Sequence, residues 1–485
     1  MNRFNFLKYL GYNLAAKYIS LSNMIIEDIE IGRLSLGQRM PAIRKFSTLY
    51  DVSNTTAVNC YQNLQELGWL QAKPQSGYFV TQPFGKDKKP KFPQFVSKVS
   101  QPKSFTQIKE AQNSPFYISV ISPELIPFEA LNRCTRQGNI RKQHLSHLYP
   151  EYQGQQAFRD TLSQHFSGQY FPLDANKLIV TNGCIDSVKT AIEVTTQPGD
   201  TIAISSPCFN GLIELLANLK RSVIEIPCCD SQLDLLQLEQ HLANKTIKAC
   251  LFSSNHINPQ GICFSAQQKQ QLAALAEKYQ TPIIEDDIYL ELSHSATSPL
   301  PIKHWDKNGW VLWCGSISKT ISPSYRLGWC EPGRYFEQYL TDRSVQTYGV
   351  NQTVQNTLFE FIYSGQYSKH LKKIKLQLNQ NVRDYHNLLS HYLPENARIS
   401  APEGGLVLWI QVPNLNSKAL LDEATKEQIY FRAGNEFSTL NLYKDCFRIN
   451  IGWSIHATDE TDDKAKRYQQ LIKLCALIKS QISNA

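Results

Sequence analysis

"GSISKTISPSYRLGW", residues 315–329, sets Lys319 among small hydroxyl residues and follows it with Arg326 seven positions on. Serine and threonine ordinarily mark turns and lysine is ordinarily a surface residue, so the plain reading is an exposed loop. The apolar segments on both sides argue against that reading. A primary amine partly removed from water is suited to condense with an aldehyde, and hydroxyls beside a guanidinium are suited to a phosphate. Ser316, Ser318 and Arg326 are therefore candidates to hold a phosphate while Lys319 reaches an aldehyde on the same ligand.

Outward from this stretch the chain alternates short β-branched runs with helical ones. "NKLIVTNG" leads into "CIDSVKTAIEVTT" and "GDTIAISSP" into "FNGLIELLANL", while "KACLFSS", "TPIIEDDIY" and "GWVLWCGSIS" add further strands. From about residue 113 this pattern predicts an α/β fold with a mainly parallel sheet covered on both faces. Ligands of such sheets collect at the carboxyl ends of strands, where most of the unusual polar residues fall. At "TNGCIDSV" a strand runs into Gly183 and a helix opens with Cys184 and Ile185, whose N–H groups and helix dipole suit a phosphate. In "EDDIY" an acid at the buried end of a strand needs a positive partner, and a protonated pyridine nitrogen is one.

The first eighty residues read differently. Apolar residues recur at helical intervals from Leu14 to Ile31, "GRLSLGQRMP" breaks the pattern, and a short helix from Ala42 to Tyr50 follows through Ile43, Phe46 and Leu49. In "DVSNTTAVNCYQNLQELGWL" Ser53 stands as an N-cap, and Ala57, Cys60, Tyr61, Leu64 and Leu67 form one apolar stripe closed by Gly68. Two short helices with a tight joint make a helix-turn-helix, and "WLQAKPQSGYFV" reads as a two-stranded wing around a turn. Charge agrees with this reading. Residues 1–112 hold 15 Lys+Arg against 7 Asp+Glu and the remainder holds 35 of each sign, so the whole excess of +8 sits in the first quarter. That asymmetry points to a polyanion-binding module joined to an electrically balanced one. "QPFGKDKKPKFPQFVSKVSQPKS", residues 82–104, mixes prolines with lysines and reads as an extended tether.

A length of 485 residues implies two or three domains. The 12 cysteines are scattered, none at C-x-x-C spacing, and no basic-then-apolar leader precedes them, so a reducing cytoplasm without a metal site is expected. No apolar run has the length to span a bilayer, and no membrane partner is expected.

Residues 14–81 resemble the winged helix-turn-helix of the GntR family of bacterial regulators, sharing "GRLSLGQRMPAIRKF", "VSNTTA", "LQELGWL" and "SGYFV" in family order. The resemblance implies that the helix starting at Ser53 enters the major groove, while Arg44 and the wing around Lys73 and Gly77 meet the backbone or minor groove. Asn54 stands where the family commonly has arginine, and the helix from Ser53 to Leu67 holds no Lys or Arg. Base readout would fall to Asn54, Thr55, Thr56 and Asn59, and phosphate neutralisation to Arg39, Arg44, Lys45 and Lys73.

Residues 114–485 resemble a fold type I aminotransferase that binds pyridoxal 5′-phosphate (PLP), with the S-x-S-K-x-x-x-P-x-x-R spacing as the specific feature. By that resemblance Lys319 would carry the Schiff base, Asp286 would pair with the pyridinium nitrogen, and Asn258 and Tyr289 would hydrogen-bond the ring hydroxyl. Phe209 would stack on the ring. Ser316, Ser318, Arg326 and the Cys184 and Ile185 amides would hold the phosphate, Tyr149 would reach a neighbouring subunit's phosphate across a dimer interface, and Arg448 in "FRINIGW" would grip a substrate carboxylate. Singly, each has a duller explanation: Asp286 and Asp287 as helix caps, Asn258 as a turn residue, Phe209 as core, each arginine as a structural ion pair. Two departures stand out. Ile185 occupies a position where many relatives have glutamine, and after Phe209 come Asn210 and Gly211, with no second arginine for a distal acid group. The latter speaks against a dicarboxylate ligand.

A GntR-type reader on residues 1–81, a linker on 82–113 and an aminotransferase-like domain on 114–485 is the layout of the MocR family of regulators. Membership implies a cytoplasmic, homodimeric regulator that binds double-stranded promoter or operator DNA and senses PLP or a small amino compound that condenses with it. Two other functions fit the same residues: a working PLP-dependent aminotransferase with an accessory DNA-binding domain, and a sensor of PLP itself. Sequence leaves turnover open.

Overall fold

The structure, a computed structural model, describes residues 17–35, 37–73, 76–81, 89–104, 108–141, 148–229, 232–294, 298–455 and 463–483. It contains two compact units, residues 1–87 together with 294–297, and residues 88–293 together with 298–485.

In the first unit three helices, α1 (Lys17–Glu30), α2 (Ile43–Tyr50) and α3 (Asn54–Glu66), precede the antiparallel hairpin of β1 (Leu70–Lys73) and β2 (Gly77–Val80). Leu21 and Ile25 of α1, Phe46 of α2, and Ala57, Cys60, Tyr61 and Leu64 of α3 share one core with Leu70 and Val80 of the hairpin. Burying each large apolar side chain of this set contributes about 1.5–3 kcal/mol. The Ser53 hydroxyl accepts from the Thr56 N–H at 3.1 Å, so the expected cap opens α3. Two expected core positions are exposed instead. Leu49 is 58% exposed because Phe46 is the single buried residue of the short α2, and Leu67 is 36% exposed because it ends α3 as its C-cap. Residues 37–40 run beside the wing, with Gly37 N–H donating to Val80 O at 2.9 Å and Met40 N–H to Tyr78 O at 2.8 Å.

The second unit is built on one large sheet. Its strands are β3 (Val99–Ser100), β4 (Ile179–Thr181), β5 (Thr201–Ser206), β6 (Ser222–Cys229), β7 (Gln232–Leu233), β8 (Ala249–Phe252), β9 (Ile283–Asp286), β10 (Val311–Ser316) and β11 (Gly328–Glu331). They lie in the order β3-β6-β5-β8-β9-β10-β11-β4, with β7 against β6. The run β6-β5-β8-β9-β10 is parallel throughout. β11 runs against both β10 and β4, so β4 points the same way as the parallel set. Both faces are covered, as the near-continuous apolar strands require. Ile202, Ile204, Leu251, Ile284 and Leu312 pack on one side with Val188 and Ile192 of α4 (Cys184–Thr195), and Ala203, Ile224, Cys250, Phe252, Ile283 and Val311 on the other.

β3 departs from the sequence expectation. Val99 and Ser100, within the segment read as a tether, pair antiparallel with Ile224 and Val223, and the Gln101 side chain donates to Ser222 Oγ at 2.8 Å. The chain is extended here because it completes a sheet edge, which a proline- and lysine-rich composition does not reveal.

Towards the carboxyl end, β12 (Arg398–Ile399), β13 (Val407–Gln411), β14 (Arg432–Ala433) and β15 (Cys446–Asn450) form an antiparallel sheet in the order β12-β13-β15-β14. Leu408, Ile410, Phe447 and Ile449 share a core with Leu388 and Leu389 of a long helix (Gln366–Tyr392) and Leu471 and Leu474 of the last one (Asp463–Ser483). Among the described residues no helix is long and apolar enough to cross a membrane, no disulfide joins two cysteines, and no group of three His, Cys, Asp or Glu is placed to hold a metal ion.

Candidate functional site

The carboxyl ends of β4, β5, β8, β9 and β10 share one edge of the sheet. β4 leads through Gly183 to the N-terminus of α4. Gly183 has φ +104°, and a Cβ there would lie 2.8 Å from Arg326 Nη2, so only glycine lets the guanidinium lie against the turn. Arg326 Nη2 donates to Asn182 O at 3.0 Å. At the end of β10 the Ser316 and Ser318 hydroxyls are 2.8 Å apart and buried, and Ser316 Oγ donates to Leu327 O at 2.8 Å. The backbone N–H groups opening α4, Arg326 and the serine pair are the expected parts of a phosphate cup. Ile185 is 39% exposed at that helix start.

β9 ends in Asp286, which is buried. Neither it nor Asp287 caps a helix. Cys184 Sγ donates to Asp286 Oδ1 at 3.1 Å and the Ile288 N–H reaches the same oxygen at 3.4 Å. Burial pushes this carboxyl above the ordinary carboxylate range, an effect that the thiol, the N–H and Lys319 oppose. Asp287 turns the other way and accepts from Asn255 Nδ2 at 2.8 Å and Trp313 Nε1 at 2.9 Å. Asn258 Nδ2 donates to the Tyr289 hydroxyl at 3.4 Å, and Asn258 Oδ1 is buried with no hydrogen-bond partner among the described residues.

Lys319 follows the serine pair, and its Nζ lies 5.8 Å from the centre of the Tyr289 ring. It faces a cavity of about 250 Å³, shared with Phe209, Tyr117, Arg432 and Arg448. Phe209 stands just before the helix Asn210–Asn218, and a Cβ on Gly211 would come within 2.6 Å of its ring, so that glycine lets the ring lie back on the helix. Arg448 is 1% exposed on β15, and its guanidinium donates to Tyr117 O. Burial first, and the charge of Arg432 second, push Arg448 down to about 10. Tyr149 lies apart from this cluster: it is 87% exposed, with its ring 6.4 Å from that of Tyr348.

Sequence reading missed the segment that covers these groups. Lys319 Nζ donates to Ser119 O at 2.6 Å, and the Ser119 and Tyr289 hydroxyls are 2.7 Å apart. Tyr117 and Ser119 sit in "FYISVIS", which carries no motif that could have pointed to them. Arg432 was missed too. It lies in the same cavity, on a two-residue strand paired in register with Arg448.

In the first unit Arg39, Arg44, Lys45, Asn54, Thr55, Lys73 and Gly77 are exposed. Arg39 pairs with Phe79 of the wing, a Cβ added at Gly77 would lie 3.7 Å from Arg39 Nε, and Lys73 Nζ lies 4.7 Å over the Phe79 ring. Asn54 Oδ1 accepts from Ser47 Oγ at 2.9 Å, and Ser53 and Thr56 join hydroxyls at 2.9 Å. Ser53 is thus occupied in capping, while Thr55 is exposed and Asn59 half-buried.

A buried acid short of cations, an orphaned amide oxygen, a helix start ringed by hydroxyls and a guanidinium, and one amine facing the same space are together matched by a phosphorylated pyridine aldehyde. These features define a PLP-dependent, aminotransferase-like protein. Residues 124–463 match the family described as aminotransferase class I and II, and the chain belongs to that family. Residues 17–80 match the bacterial regulatory proteins of the gntR family, so both modules of the MocR layout are present in one chain. The chain is 28% identical to the uncharacterized HTH-type transcriptional regulator YdcR of Escherichia coli (strain K12), over 90% of this chain and 95% of that protein. It is likewise 28% identical to the regulator YjiR of the same organism, over 91% and 96%. Among solved structures, the multiple substrate aminotransferase of Thermococcus profundus superposes with a TM-score of 0.70 at 22% identity, over 78% of this chain and 94% of that one.

Proposed function

We propose that this protein is a DNA-binding transcription regulator whose second unit senses PLP, or a small amino compound captured by PLP, and whose first unit reads double-stranded promoter DNA. When bound, PLP supplies an aldehyde able to capture primary amines. Lys319 is the chain's own amine at that position, Asp286 holds a proton at the ring nitrogen, Asn258 and Tyr289 orient the ring hydroxyl, and Phe209 covers the ring face. Ser316, Ser318, Arg326 and the N–H groups of Cys184 and Ile185 take the phosphate. Arg448 orients an amino compound through its carboxylate.

The observation that carries the sensing role is the hydrogen bond from Lys319 Nζ to Ser119 O at 2.6 Å. Engaging Lys319 and Arg448 with ligand competes with the Ser119 and Tyr117 carbonyls to which these side chains donate. The segment so released leads back along the chain through β3 to the DNA-binding module. A ligand that favours one placement of this segment shifts the population of DNA-competent molecules by its differential affinity, and by no more. In a homodimer, with Tyr149 of each subunit at the interface, two recognition helices address two half-sites, so a change in their spacing alters operator affinity.

The test is binding of the purified protein to a duplex carrying its own promoter, with PLP, with PLP plus amines, and with neither. A ligand-dependent change in affinity supports the regulator. Multiple-turnover transfer of an amino group to a 2-oxo acid, with DNA binding indifferent to ligand, would replace it with a working aminotransferase.

A further inference from the structure

Lys319 lies in a turn between two fixed points. Before it, the buried Ser316 and Ser318 hydroxyls are 2.8 Å apart. After it, the buried Thr320 is held twice. Its carbonyl accepts from His370 Nε2 at 2.6 Å, and its hydroxyl lies 2.9 Å from that of Tyr367. Since a carbonyl only accepts, His370 Nε2 carries the proton. Burial pushes this imidazole below its ordinary range, so it stays neutral and keeps that N–H on Thr320. The Tyr367 hydroxyl in turn donates to Glu291 Oε2 at 2.6 Å, and His165 Nε2 lies 2.6 Å from the other oxygen of the same carboxylate. These side chains come from the helix Gln156–Gln169, the short turn Leu290–Leu292 just after Tyr289, and the start of the long helix Gln366–Tyr392, and they converge on the residue that follows Lys319.

Glu291, Tyr367, His165 and His370 are all buried, beside an apolar cluster that includes Phe166, Ile317, Ile321, Phe361 and Leu371. Taking a carboxylate out of water is costly, and apolar side chains of similar volume would fill this core without that cost. What the polar chain adds is direction, because a satisfied buried network fixes the place of each member. We propose that Tyr367 is a positioning residue for Lys319, braced by Glu291 and assisted by His370 on Thr320. The inference rests on the assignment of Lys319 as the amine that meets PLP and adds the residues that aim it. In that bond the amine and the aldehyde form C=N and release one water, and the C=N conjugates with the ring only when the two are coplanar. A long lysine side chain reaches that plane relaxed or twisted according to where its backbone is held, and the Thr320 clamp sets that place.

The experiment compares PLP with pyridoxine 5′-phosphate, which has the same ring and phosphate but an alcohol in place of the aldehyde. Both are titrated into the full-length, cofactor-free protein and followed by tryptophan fluorescence. The unaltered protein is expected to prefer PLP by the contribution of the bond to Lys319. Tyr367→Phe, which removes one oxygen and keeps the ring in the core, is expected to shrink that preference about three- to tenfold, the equivalent of one buried hydrogen bond. Its affinity for the alcohol is expected to stay within about twofold, and the visible band of the PLP-loaded variant is expected to shift. Thr320→Val cuts the same contact from the other side and reads it independently should Tyr367→Phe fail to fold. The combined variant is expected to fall no further than either single one. Glu291→Gln, which keeps an oxygen for Tyr367, is expected to lie between the unaltered protein and Tyr367→Phe. Equal weakening of both ligands, or a preference that survives Tyr367→Phe and Thr320→Val, overturns the positioning role while leaving Lys319 as the amine. An unaltered protein that does not prefer PLP and forms no linkage that borohydride can fix overturns both.

Discussion

Lys319 Nζ and Ser119 O are 2.6 Å apart although 200 residues separate them in the chain. The contact joins the residue placed to meet PLP to a segment that continues, through Val99 and Ser100 at the edge of the large sheet, toward the DNA-binding module. The Ser119 hydroxyl also meets the Tyr289 hydroxyl, and Tyr117 O accepts from Arg448, so three expected ligand-binding side chains contact one short segment.

Replacing the amine tests the covalent assignment. Lys319→Ala is expected to lose any linkage to PLP that borohydride can fix, as read by mass spectrometry of the reduced protein. Its DNA affinity without ligand is expected to stay within about threefold, because the surface of the first unit is untouched.

The expected phosphate cup depends on a backbone shape. Gly183→Ala places a methyl group where φ is +104° and where Arg326 Nη2 would be 2.8 Å away. PLP affinity, measured by spectral titration, is expected to fall about tenfold or more, the loss of a charge-assisted contact.

Asp286 supplies a pH signature. Burial raises its carboxyl above the ordinary value of 3.8. A carboxyl raised on folding lends stability that is complete below its ordinary value and is lost as pH rises through its folded value. Cofactor-free Asp286→Asn is therefore expected to melt above the unaltered protein at pH 8, with the gap closing toward pH 4, and to bind PLP more weakly. Thermal melts across this range check the sign.

On DNA, Arg44→Ala is expected to weaken binding to every sequence alike and to reduce the slope of log affinity against log salt by about 1. Asn59→Ala is expected to cost about 1–3 kcal/mol on the operator and little on unrelated duplexes, if Asn59 reads a base. Fluorescence anisotropy over a salt series separates the two.

Much of this site is legible in the sequence because its parts lie in local patterns: a glycine before a helix, an acid ending an apolar strand, a lysine after spaced serines. Cys184, Asp286, Ser316, Ser318, Lys319 and Arg326 sit at strand ends that share one edge of the sheet, so a strand-by-strand reading could find them. Arg432 could not be found that way, since its place opposite Arg448 depends on the register of a two-residue strand. Ser119 and Tyr117 meet Lys319 and Arg448 through backbone carbonyls, which any residue type provides. Val99 and Ser100 become a strand through partners more than a hundred positions away. Leu49 and Leu67 carry the right period, but helix ends and solvent decide their exposure.

The central claim, that chemistry at Lys319 is read out as DNA affinity, is tested most directly by measuring the dissociation constant for a promoter duplex with and without saturating PLP and amine, in the unaltered protein and in Lys319→Ala. The account predicts a ligand-dependent shift in the former that is absent in the latter. An unaltered dissociation constant in both, or the same shift in both, would contradict it.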